Sequence, residues 1–297
     1  MRGISLTGLY LTGSILIGTL VAAVLNQFLS YPFDRVLTRS VLLVMAILLI
    51  PLSKLVSSDT SGLVADRLYF REFLCSFCVG LLILSIPIAF FLMVDLRVLS
   101  LDLDIDLGLV LLYLLFGVFL AGLIAVFEEI LFRGFLYGAL KERFGQIFSM
   151  MASSFIYSCA HFLKPTDDGE YLPSLGVGFA YLGDAAVNAV ALDHNWDARL
   201  SLLFLGCFLC LVRDRLSLFW CVGFHAAFVL GIFLTRELTI VNIKSDFLVM
   251  ISSYNEFVGH FVSIWLALLI LLLWSRSSIS WGPSSSVGLS WKRIDDH

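Results

Sequence analysis

Eight stretches of this chain are apolar for long enough to cross the roughly 30 Å hydrocarbon layer of a bilayer as helices, which leaves few folds open to it. They run at about Leu9 to Leu29, Ser40 to Leu55, Phe73 to Val94, Leu107 to Leu140, Gln146 to Leu163, Leu200 to Val212, Leu216 to Leu234 and Phe257 to Trp274, the fourth being overlong. A transmembrane barrel would need apolar and polar residues alternating in segments of about ten. Blocks such as LLILSIPIAFFLMV do not alternate. At 60% hydrophobic and 14% charged, with a mean hydropathy of +0.97, the chain is far more apolar than the core of a water-soluble domain requires. The expected fold is an all-α, polytopic membrane helix bundle of about eight transmembrane helices.

The apolar stretch after Arg2 is of spanning length and lacks a small-residue cleavage site, so it reads as a first span and not as a removable signal. With eight spans, both termini and the even-numbered loops share one side. That side carries eleven Lys and Arg residues, the other carries seven, and Arg133 is left inside the membrane. The positive-inside rule then places both termini in the cytoplasm, with the plasma (inner) membrane of a bacterium as the expected location. Nothing in the charge pattern calls for nucleic acid. The expected partners are the lipid bilayer and a membrane-anchored peptide or protein.

Two features lie outside the spans. The loop from Lys164 to Arg199 contains an apolar segment broken by Gly178, Gly183 and Asp184, which fits a re-entrant or interfacial element. The tail SSISWGPSSSVG fits a flexible end. Two of the six cysteines' pairings, Cys75/Cys78 and Cys207/Cys210, have CxxC spacing, but both lie in apolar helical runs where thiols act as small hydrophobes.

The run AVFEEILFRGFLYG places Glu128, Glu129 and Arg133 at bilayer depth. On a helix, Glu129 and Arg133 are i and i+4 and within ion-pairing reach, while Glu128 is turned about 100° away. Ionisable groups inside a membrane face the bundle interior and have partners. From the polar turn around Arg143, Glu128 lies 15 residues back and His161 18 forward. Both are then about 22 to 27 Å along their helices and come close in an antiparallel hairpin. His225, ten residues beyond Arg215, lies only about 15 Å in and needs a tilted or displaced helix to join them. A glutamate and two histidines in a protected pocket suit hydrolysis, with a carboxylate taking a proton from water and imidazoles orienting it or stabilising an oxyanion. The same three residue types also suit zinc. Structural readings stand beside these: a helix-packing ion pair for Glu129 and Arg133, an interhelical hydrogen bond for either histidine. His194, His260 and His297 are given no role.

These residues resemble the CPBP intramembrane proteases, also called the CAAX protease and bacteriocin-processing or Abi family, which includes the type II CAAX prenyl endopeptidases. Glu128-Glu129-Ile-Leu-Phe-Arg133 matches the EExxxR motif, Tyr157 to His161 an aromatic-xxx-His motif, and His225 opens an HxxxN-like motif. The resemblance covers about Ala121 to Gly231 and departs from the family twice, with Tyr157 where phenylalanine is usual and Val229 where Asn or Asp is usual. It implies N-terminal transmembrane helices over 1–106, a four-helix catalytic core within 107–234, and a last helix with the tail over 235–297. It also implies a glutamic protease in which Glu128 is the general base, His161 assists it, His225 stabilises the oxyanion, and Glu129, Arg133 and Tyr157 support the site. That mechanism requires no cofactor, although early descriptions of the family invoked a metal. Two other functions remain open: a sorting or processing enzyme acting on C-terminal anchors of exported proteins, and a non-catalytic scaffold or immunity protein, which the loss of a hydrogen-bond donor at Val229 favours.

Overall fold

The computed structural model describes residues 2–28, 33–55, 62, 69–100, 107–163, 175–191 and 195–275. The tail, the polar part of the long loop and His194 and His297 lie outside them.

The described residues form an all-α bundle, the class that the apolar runs predict. Helices α1 (Arg2–Leu25) and α2 (Phe33–Leu55) form one antiparallel hairpin. Helix α3 (Tyr69–Met93) follows, then α4 (Leu107–Glu129). The overlong fourth run is a continuous helical rod of three parts: α4, a π-helical segment Ile130–Leu136, and α5 (Tyr137–Phe144). Gly145, at φ +78°, ends the rod in a conformation that glycine adopts without steric cost, and α6 (Gln146–Ala160) returns. Then come α7 (Leu175–Val190), α8 (Trp196–Arg215), α9 (Leu218–Leu238) and α10 (His260–Ser275). The apolar part of the long loop is thus a helix, α7, whose Tyr181 and Ala185 pack on Ala22, Phe33, Val36 and Leu37 of the first hairpin.

Among the described residues, four helical stretches are long and apolar enough to cross a membrane: Gly8–Leu25, Tyr69–Met93, Leu114–Phe144 and Leu218–Leu238; His260–Ser275 is shorter. Their outward faces are apolar too. Leu82, Leu112, Leu115, Phe116 and Phe119 are exposed, a surface that lipid satisfies and water does not. The chain is an integral membrane protein.

Helix α9 is central, packed against α3, α4 and α8. Its closest approach is to α3. Gly80 of α3 faces Ala227, while a Cβ on Gly223 would overlap Ser76 Oγ and Phe73 O. Small residues spaced by four let the two backbones meet, the usual means of packing helices in lipid.

One end of the bundle carries a cap that the sequence reading did not anticipate. Strands β1 (Arg97–Leu99) and β2 (Thr239–Val241) pair antiparallel, Val98 opposite Ile240. Arg97, 1% exposed, donates to Thr239 Oγ1 at 2.6 Å, Thr239 O at 3.0 Å and Glu256 O at 2.7 Å, tying the ribbon to the loop before α10.

Candidate functional site

The π-helical segment begins immediately after Glu129. An i→i+5 turn inserts one extra residue into the helix and commonly marks a functional position. Here it follows two adjacent carboxylates that both reach the same imidazole.

Glu129 is fully buried and its Oε1 accepts two hydrogen bonds, from Arg133 Nη1 at 2.8 Å and from His225 Nδ1 at 2.7 Å. A carboxylate paired with a buried guanidinium is an acceptor, so Nδ1 of His225 carries a proton. That leaves Nε2 turned the other way, 3.8 Å from Glu128 Oε2. Glu128, whose side chain is 24% exposed, makes no hydrogen bond through Oε2 among the described residues.

Tyr157 joins the charged groups to the second histidine. The Arg133 guanidinium carbon stands 4.2 Å over its ring, the His161 ring meets it edge-on at 4.5 Å, and the His225 ring at 6.2 Å. His161 closes the C-terminal end of α6, where helix carbonyls lose their intrahelical partners. Its Nδ1 lies 3.0 Å from Tyr157 O. A carbonyl can only accept, so Nδ1 is the protonated nitrogen and Nε2 is left as the acceptor.

Glu128, Glu129, Arg133, Tyr157, His161 and His225 therefore form one constellation. Val229, one helical turn beyond His225, is partly exposed and brings no donor. Asp214 accepts from Tyr137 Oη and from Lys141 Nζ, both at 2.5 Å, so the turn between α8 and α9 is level with residues 137–141 and α5 projects beyond it. Measured from there, Glu129 and His225 lie at matching depth, about 10 to 12 Å along each helix.

Sequence reasoning missed Tyr254. It reaches in from the capping loop, donating to His161 O at 3.3 Å with its ring 4.7 Å from that of Phe162. Burial, with the nearby Glu128 carboxylate, pushes its phenol above the ordinary value and keeps it a neutral donor. Nothing periodic around SSYNEF signals this, since the contact spans 93 residues.

Four buried polar atoms of the site lack a partner among the described residues: Glu128 Oε2, Glu129 Oε2, Arg133 Nη2 and Tyr157 Oη. Two accept and two can donate. A water and a peptide group supply the complements to such a set. Among the described residues no three His, Cys, Asp or Glu side chains form a group that could hold a metal ion. Of the cysteines, Cys207 and Cys210 are free and pack with Tyr137, Met150 and Leu211.

Residues 108–231, which include every member of this constellation except Tyr254, match the family model described as type II CAAX prenyl endopeptidase Rce1-like. No curated protein and no solved structure matches the chain.

Proposed function

From the match of residues 108–231 to the type II CAAX prenyl endopeptidase Rce1-like model, we propose that the chain belongs to the CAAX protease family and is an intramembrane glutamic endopeptidase cleaving a membrane-associated peptide or protein. The observation that carries this reading is the carboxylate of Glu128, adjacent to the His225 imidazole and free of any hydrogen bond through its buried Oε2.

In the proposed reaction a water bound between Glu128 and His161 Nε2 gives a proton to Glu128 as its oxygen bonds to the scissile carbonyl carbon. The oxyanion that forms accepts from the N–H at His225 Nε2, the imidazole being doubly protonated between the Glu129 and Glu128 carboxylates in this reaction. Glu128 then returns the proton to the leaving nitrogen as the C–N bond breaks, so the carboxylate is regenerated. Glu129 and Arg133 stay out of the proton transfers and fix His225 and Tyr157 in place. No step is routed through a metal.

The test is cleavage, in proteoliposomes, of quenched fluorescent peptides held in the membrane by either a farnesylated C-terminal Cys-aliphatic-aliphatic-X sequence or a transmembrane segment. Wild-type protein should cleave one class and Glu128→Gln neither, with and without a chelator. Cleavage that a chelator abolishes would replace the glutamic mechanism with a metal-dependent one. Which class is cut separates a prenyl endopeptidase from a processor of C-terminal anchors. Val229 favours a second reading, a binding scaffold in the same fold, and equal signals from wild-type protein and Glu128→Gln would select it.

A further inference from the structure

The chain departs at two places from the motifs of the family it resembles, and both lie close in sequence to the histidines of the site. Val229 removes a hydrogen-bond donor one turn after His225; Tyr157 adds a hydroxyl to a ring that packs against those of His161 and His225. That hydroxyl is buried, and among the described residues it has no partner. The tyrosine ring is already held, by Arg133 on its face and by Phe132, His161 and His225 at closest ring-centroid distances of 4.5 to 6.2 Å. A phenylalanine would make every one of these ring contacts without burying an orphaned O–H, which costs stability. A buried donor aimed at nothing, in a site built to meet a substrate, belongs to a state in which something arrives.

We infer that the Tyr157 hydroxyl is an oxyanion donor of this enzyme, acting with His225 Nε2 in place of the side-chain amide that Val229 lacks. The inference rests on the protease reading above. In the ground state Tyr157 Oη is unpaired. As water adds to the scissile carbonyl, the oxygen gains charge and accepts from both Tyr157 Oη and His225 Nε2. No proton moves from the tyrosine, and the bond is released when the C–N bond breaks. The donor is pre-set because the ring cannot swing: the guanidinium of Arg133 lies across it, itself anchored on Glu129. A donor held in place before charge develops is the kind worth most in a site shielded from water.

The experiment compares wild-type protein, Tyr157→Phe and Glu128→Gln in the proteoliposome assay, on whichever peptide class the wild type cleaves, and records thermal unfolding alongside. Tyr157→Phe should lower kcat by on the order of a hundredfold while KM changes little, because the bond forms only as charge develops. Its melting temperature should equal or exceed that of the wild type, since the orphaned hydroxyl is gone. Three results would overturn the inference: an unchanged kcat, a rise in KM alone, or a variant that melts early or fails to accumulate, which would make the hydroxyl structural. If wild-type protein cleaves no better than Glu128→Gln, the protease reading itself fails and takes this one with it. Cleavage by the wild type with Tyr157→Phe fully active would remove only the role of Tyr157.

Discussion

Adjacent carboxylates in one helix turn sit in different surroundings. Glu129 has no exposed surface and neutralises a guanidinium that is itself 1% exposed, while also orienting His225. Glu128, 24% exposed, is bonded to nothing through Oε2. Replacing each by glutamine should therefore separate activity from stability. Glu128→Gln should lose on the order of 10²- to 10⁴-fold in turnover, as removal of a general base does, and unfold at the wild-type temperature. Glu129→Gln leaves Arg133 buried without a counter-charge, and breaking such a pair costs about 3 to 5 kcal/mol. That variant should melt well below the wild type or fail to accumulate in membranes. Parallel melting and turnover measurements on purified protein check both; a stable, inactive Glu129→Gln would show that the two roles had been assigned to the wrong residues. The cap offers a third case. Arg97→Met would leave Thr239 O, Thr239 Oγ1 and Glu256 O without the donor that now satisfies all three. Each lost partner costs about 1 to 3 kcal/mol where water cannot replace it, so early melting is the expected outcome.

The position of His225 depends on the crossing of α3 and α9, two residues before it. Gly223 sits where a side chain would overlap Ser76 Oγ and the carbonyl of Phe73. Gly223→Val forces the helices apart, at a cost of about 1 to 3 kcal/mol for overpacking, and draws the imidazole away from Glu129. It should lower both melting temperature and turnover. Gly8→Val in α1, where nothing lies within 4 Å, should change neither. Equal behaviour of the two variants would mean that the crossing does not set the site. This scale also shows what the sequence makes legible. Long apolar runs mark the helices because lipid leaves a spanning chain little else to form, and EEILFR stands out because charge inside such a run needs a reason. The ribbon was not legible. Strands of three residues have no usable periodicity, and Arg97 meets Thr239 across 142 residues. The π-helical segment was equally hidden, since ILFRGFL reads as ordinary apolar helix. It is the tertiary demand for Glu129 on His225 that such a register shift accommodates.

Across the whole molecule, the constellation meets the cap through His161 and Tyr254, while His225 sits in the first half of α9, nearer the α8–α9 turn. His161 closes α6 at the capped end and Tyr254 of the capping loop donates to its carbonyl, whereas the turn at Gly145 lies at the far end of the same helix. The basic residues gather at that far end: Lys141, Arg143, Arg213 and Arg215. At the capped end Arg97 and Arg199 are buried and spent on carbonyls, Arg199 on those of Asn188 and Ala189, so they are structural donors more than exposed positive charge. The bias in exposed cations is therefore sharper than a count of Lys and Arg suggests, and the positive-inside rule would place the Gly145 turn in the cytoplasm and the capping loop, with His161, on the opposite side. Lys244→Cys, in the cap, should then react with a membrane-impermeant maleimide added to intact cells, and Arg143→Cys only once the membrane is permeabilised. That pattern suits substrates processed after export. The reverse would turn the site toward the cytoplasm and suit substrates made and lipidated there, with the catalytic geometry unchanged, because nothing in the Glu128, His161 and His225 arrangement depends on which compartment it faces.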